Sequence, residues 1–227
     1  MSRASAATAA VLAAAFAALA GLVAAGELTA VDRWAMLHAM PDATFTGERP
    51  TFLQAVVPLW GLPWRSPVDV VTNLVTVPAA FLVATVIVGA ACRALRGRAA
   101  LLLATVYVAA NAVEAIVKSA LTRPPLVIRG LHVAGFDNSF PSGHTIRTVV
   151  LAVAVAAAWP RTARAIAVWA ACSLAMIEIG AVHVPSDIAG GLVLVGALLA
   201  TTWTSLRCAL SSRRRPSPAS RPSARAT

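Results

Sequence analysis

The chain has 227 residues, 59% of them hydrophobic and only 12% charged, with a mean hydropathy of +0.76. A water-soluble domain of this length rarely carries so much apolar sequence, so the numbers argue against an ordinary soluble enzyme and for an integral membrane protein. The formal net charge of +10 raises nucleic-acid binding as an alternative, which the placement of the arginines answers below.

A helix needs about 20 apolar residues to cross the bilayer core. The first candidate, 6–25, follows Arg3. Its "ALAGLVAAG" would suit a cleaved secretory signal, but the apolar run is long for a signal core, so it reads as a retained span. Segment 27–69 is too short for a second domain. Its "FLQAVVPLWGLPW" piece, with Trp60 and Trp64 between prolines, reads as a segment lying at the membrane interface. Spans follow at 70–92 and 99–117, then a short one at 145–160 with Arg147 near its start, then 163–182 and 188–208. The expected fold is therefore an all-α bundle of six transmembrane helices over 1–208. Residues 209–227, rich in Pro, Ser and Arg, read as a disordered basic tail.

The arginines orient this bundle. Arg93, Arg96 and Arg98 fall between spans two and three, and Arg161 and Arg164 between four and five. Arg207, Arg213, Arg214, Arg215, Arg221 and Arg225 follow span six. These are alternate connections, so the positive-inside rule places them, with both termini, in the cytoplasm. The connections 26–69, 118–144 and 183–187 then face outward. The basic balance is thereby a topology signal, with membrane lipids as the partner and no nucleic acid implied. Cys92, Cys172 and Cys208 have neither disulfide nor metal-site spacing and read as small buried hydrophobes. The Ala- and Arg-rich, Lys-poor composition points to a GC-rich genome and a bacterial plasma membrane. Nothing in the sequence bears on oligomeric state.

With that topology, Lys118, Arg123, Ser142, His144, His183 and Asp187 all collect at the outer ends of helices. Ionisable groups placed there, facing a bundle, mark a functional site. "PSGH" (141–144) sets a hydroxyl, a glycine open to close backbone approach and an imidazole at a helix N-terminus, where free N–H groups favour an anion. Lys118 and Arg123 add fixed positive charge suited to phosphate oxygens. In "HVPSD" (183–187), Asp187 can bond one nitrogen of His183 and raise the basicity of the other. His183 is then a candidate nucleophile toward phosphorus and His144 a candidate proton donor to the leaving oxygen.

These motifs resemble those of the type 2 phosphatidic acid phosphatase superfamily: a Lys with a following Arg-Pro, then "PSGH", then "HxxxD" 39 residues later. The resemblance covers roughly residues 30–205 and is most specific over 118–191. It implies a six-span bundle, an outward-facing site and phosphate-ester hydrolysis without metal or other cofactor. Carried over by motif, His183 would form a phosphohistidine, Asp187 would orient it, and His144 would act as acid and then as base. Lys118, Ser142 and the Gly143 amide would hold phosphate oxygens. The implied substrate is a lipid-linked phosphate or a polyprenyl pyrophosphate.

Two places depart from the family pattern. Seven residues beyond Lys118 stands Pro125, with Arg123-Pro124 two residues early, and the Ser-Arg expected before the second His is replaced by Met176 and Ile177. Losing one charged hydrogen bond to a transition-state oxyanion costs roughly 3–4 kcal/mol, or two to three decades of rate. Arg147, one helical turn after His144, is expected to supply a substitute guanidinium, with Arg123 covering the displaced one. Glu114 is placed to pair with Lys118 four residues on, and Glu178, inside an apolar span, needs a partner for which Arg147 is a candidate. Two alternatives stay open: a non-catalytic relative that binds lipid phosphate or a partner protein, and phosphoryl transfer to an acceptor other than water.

Overall fold

Runs rich in Ala and Leu favour helix in this chain, and two of its breaks fall at Gly26 and Pro78. The structure, a computed structural model, describes residues 3–38, 67–128, 130–180 and 182–213. The Trp60 and Trp64 segment and the tail from residue 214 lie outside the described residues. Helix α1 (Arg3–Ala25) ends at Gly26, whose φ of +80° suits glycine. A Cβ at that position would also come within 2.9 Å of Pro124 Cγ, so the turn packs closely there and launches α2 (Thr29–His38) over the 121–126 segment.

The stretch expected as one span over 70–92 is broken. Helix α3 (Pro67–Thr76) runs into a 3-10 turn over Val77–Ala79 that carries Pro78, and α4 (Phe81–Leu95) leaves with a 46° bend. Pro78 cannot donate to the helical ladder, so backbone carbonyls around the break need other partners. Trp169 Nε1 donates to Val75 O at 3.0 Å and Arg147 Nε to Ala79 O at 2.8 Å. Helix α5 (Gly97–Ala120) leads to a two-residue antiparallel hairpin, β1 (Val127–Ile128) and β2 (Leu131–His132). Helices α6 (Gly143–Ala158), α7 (Ala163–Ile179) and α8 (Pro185–Arg213) complete the fold. Helix α8 runs five residues into the stretch expected to be a disordered tail.

Helices cover all six expected spans. Four (α1, α5, α7 and α8) are long and apolar enough to cross a membrane, and the bent pair of α3 and α4 makes up to five. These apolar helices mark a multi-pass membrane protein. Helix α6, at 16 residues, rises only about 24 Å, short of the roughly 30 Å hydrocarbon core. It sits at the centre of the bundle, packed against α4, α5, α7 and α8. Val150 and Leu151 join Val88, Val106 and Val195 in one core cluster, and Ala154 joins Leu95, Leu103 and Leu206 in the next. Meanwhile Val11, Val86, Leu101, Val108 and Val168 point outward and exposed, as lipid-facing residues do.

Candidate functional site

Four helix ends meet at one rim of the bundle: α5 and α7 finish there, and α6 and α8 begin. The "PSGH" segment is held by its own cap and by α8. Ser142 is the N-cap of α6, its Oγ accepting from Thr145 N at 3.2 Å and Thr145 Oγ1 at 3.0 Å. Its own N–H donates to Asp187 O at 2.9 Å. Two glycines of α8 make this approach possible. A Cβ on Gly190 would run into the Phe140 ring, and one on Gly191 would stand 2.8 Å from Ser142 O.

The two histidine motifs therefore close on each other. The rings of His144 and His183 are 5.7 Å apart between centroids, tilted by 59°. Asp187 Oδ2 lies 3.2 Å from His183 Nδ1, so the carboxylate accepts from that nitrogen and leaves Nε2 with the free lone pair. Burial holds His183 below the usual imidazole range, against the upward pull of the Asp187 hydrogen bond and charge. The imidazole is thus neutral at pH 7, the form a nucleophile requires.

Beside this pair stands a cluster of charges drawn from α5 and α6. Lys118 Nζ donates to Glu114 Oε1 at 2.7 Å, and Arg147 Nη1 to Glu114 Oε2 at 2.9 Å and to Asn111 Oδ1 at 3.1 Å. Arg147 thus pairs with Glu114 rather than with Glu178, which is half-buried on α7. Gly143 makes room for the cluster: a Cβ there would collide with the Glu114 carboxylate and lie 2.6 Å from Arg147 Nη2. Two cations, a carboxylate and the free amides of a helix N-terminus are thus packed within one small volume next to His144. Among the described residues no group of His, Cys, Asp and Glu is arranged to hold a metal ion.

Residues 98–209, which carry every one of these groups, match the PAP2 superfamily. Over these residues the chain is a member of that superfamily. It is the superfamily of the type 2 phosphatidic acid phosphatases, whose members are phosphatases acting on phosphate esters, lipid-type substrates among them. Comparison with curated proteins gave no match, and comparison with solved structures gave none either.

One contributor, Asp32, lies outside the PAP2 match and reaches the site through Arg123. Arg123, expected at a phosphate oxygen, stands behind the His183–Asp187 pair and is buried. Its Nη1 donates to Asp187 Oδ1 at 3.1 Å, while Nη2 donates to Ser186 Oγ at 3.1 Å and to Asp32 Oδ2. Asp32, on α2, also accepts from Ser186 N at 3.0 Å and from Ser186 Oγ at 2.6 Å. Sequence reasoning passed over Asp32. The signal available was an inverted helix: Asp32, Ala35 and Met36 face inward, while Val31, Trp34 and Leu37 lie exposed. Met36 is pinned by Leu126, Ile128, Val133, Phe136 and Val184, which carries α2 to the neighbourhood of His183.

Proposed function

We propose that this PAP2 member hydrolyses a lipid-linked phosphate or pyrophosphate through a phosphohistidine at His183. The observation that carries the reading is the Asp187-bonded His183 facing His144 at 5.7 Å beside the Lys118–Arg147 cation pair. In the first step His183 Nε2 attacks phosphorus, the ester or anhydride P–O bond breaks, and protonated His144 gives its proton to the departing oxygen. In the second step a water attacks the phosphohistidine and neutral His144 takes its proton. The P–N bond then breaks, releasing phosphate and free His183. Asp187 steadies the charge that His183 acquires.

Lys118, Arg147, the Ser142 hydroxyl and the Gly143 amide are the groups we assign to the phosphate oxygens. Both cations are engaged by Glu114 through hydrogen bonds of 2.7 and 2.9 Å, so a phosphate entering the cradle draws them partly away from that carboxylate. Arg147 in this role stands in for the arginine that Ile177 replaces. The site lies at helix ends, near headgroup depth, which favours a lipid substrate over a soluble ester. The distribution of arginines along the sequence supports an extracytoplasmic position for that rim, and the Ala- and Arg-rich composition supports a bacterial plasma membrane.

Purified chain in detergent, offered phosphatidic acid, phosphatidylglycerophosphate and a polyprenyl pyrophosphate, tests this directly. Inorganic phosphate is expected from at least one of them and is lost in His183→Ala. Binding of these lipids without any phosphate release would make the chain a non-catalytic receptor. Phosphate appearing on an added alcohol instead of in solution would make it a phosphotransferase.

A further inference from the structure

We propose that Asp32 is a positioning residue for His183, acting through Arg123 and Asp187 as the far end of a buried four-membered charge chain. The inference deepens the phosphohistidine reading and rests on it for its catalytic consequence. The chain runs from Asp32 to Arg123, from Arg123 Nη1 to Asp187 Oδ1 at 3.1 Å, and from Asp187 Oδ2 to His183 Nδ1 at 3.2 Å. Asp32 and Asp187 are both wholly buried and Arg123 nearly so. In such surroundings each charge is held by its partner rather than by water, and hydrogen bonds set the geometry of the whole.

Removing any link has a readable direction. One guanidinium is shared between two carboxylates, so the trio carries a net negative charge facing the imidazole. Arg123 divides its donors between Asp32 and Asp187, leaving Asp187 a strong acceptor toward His183. With Asp32 neutralised, Arg123 is left to Asp187 alone, and the negative charge that favours an imidazolium or a phosphorylated imidazole disappears. Asp32 also fixes Ser186 through both its N–H and its hydroxyl, and Ser186 is the residue immediately before Asp187. Loss of Asp32 therefore loosens the carboxylate in position as well as in charge.

The other groups that bear on His183 are Lys118 and Glu114 from α5 and His144 from α6. None of these touches Asp32, so a change at Asp32 reaches His183 through the buried chain. Asp32 lies on α2, outside the matched residues 98–209. The N-terminal part of the chain thereby has a specific chemical task at the site.

The test compares wild type with Asp32→Asn and Arg123→Lys in the full-length purified chain. Turnover of the lipid phosphate found active is followed across pH. The imidazoles are titrated by nitrogen NMR of histidine-labelled protein, which has only four histidines to resolve. Asp32→Asn is expected to lower kcat by about ten- to hundredfold with KM unchanged within about twofold, and to move the His183 titration to lower pH by about half a unit or more. Arg123→Lys, which keeps the charge but loses the two-armed reach, is expected to lower kcat in the same way. If Asp32→Asn does not fold, Arg123→Lys decides the matter. An unmoved His183 titration with normal kcat would overturn the inference while leaving the phosphatase reading intact, as would an effect of Arg123→Lys confined to KM. If wild type turns over none of the lipids, the phosphatase reading falls, and the His183 titration alone still decides whether Asp32 governs that imidazole.

Discussion

Two charge clusters flank the histidine pair, and they are built for different work. Behind His183, Arg123 is enclosed by Asp32, Ser186 and Asp187, with the charged side chains 0–2% exposed. In front, Lys118 and Arg147 share Glu114, and the Lys118 side chain is 29% exposed. The closed cluster has its one cation held between two carboxylates inside the protein and nothing left to offer a phosphate. The open cluster has two cations on one carboxylate and a path to solvent. A bound phosphate can compete for the second but not for the first. Cations of the same type thus serve geometry in one place and exchange in the other, and what separates them is which carboxylates reach them.

Predictions that break or sharpen this contrast begin with the group between the clusters. His183→Ala should lower turnover by about four decades or more, because it removes the imidazole that Asp187 orients and that faces His144. The contrast itself is read by truncating one cation on each side. Arg123→Met strands two buried carboxylates and should destabilise the fold by about 3–5 kcal/mol, seen as a lower thermal transition. Lys118→Met should change stability by less than about 1 kcal/mol yet lower kcat/KM by two to three decades, because Lys118 is itself partly exposed and Glu114 keeps Arg147 as its partner. Equal effects on stability at the two sites would erase the distinction.

Dependence on pH follows from the buried imidazole. His183 must be neutral to attack, and burial lowers its affinity for a proton. On the acid side activity should therefore fall only below about 6.5, the ordinary imidazole value, as the nucleophile becomes protonated, and on the alkaline side it should fall as His144 loses the proton it gives in the first step. A kcat/KM profile that declines on acidification already from pH 8 would contradict this sign. The smallest expected effect is at Glu114. Glu114→Gln removes the carboxylate that holds both open-side cations and should tighten product inhibition by inorganic phosphate about tenfold, as expected for one charge removed beside an anion in a partly dry site. Unchanged inhibition would mean that the cations are not shared between Glu114 and the ligand.

Much of this was legible in the sequence because lipid imposes simple rules. Apolar runs near 20 residues located the helices, and polar residues at their ends located the rim. His144, His183, Asp187, Ser142 and Lys118 stood out since each is costly in apolar surroundings without a purpose. The pairing of Glu114 with Lys118 was readable from four-residue spacing, and the structure contains it. Long-range partnerships were not readable. Arg123 was expected on a phosphate from its charge alone, and no spacing rule reveals that Asp32, 91 residues away, claims it. Glu114 takes Arg147 across 33 residues, where the sequence offered Glu178 as the nearer candidate. The break at Pro78 was hidden inside an otherwise continuous apolar stretch, and its freed carbonyl at Ala79 is part of what fixes Arg147 in place.

Most direct of all is a rapid-quench trapping experiment on the wild-type chain, because His144 is the acid of the first step as well as the base of the second and its removal would slow the arrival of label too. Mixed briefly with phosphorus-labelled lipid phosphate and quenched in alkali, wild type should retain acid-labile label on the peptide containing His183. The same treatment of His183→Ala should leave the chain unlabelled. Turnover by wild type with no label on that peptide at any quench time, or with label on another residue, would contradict a phosphohistidine at His183.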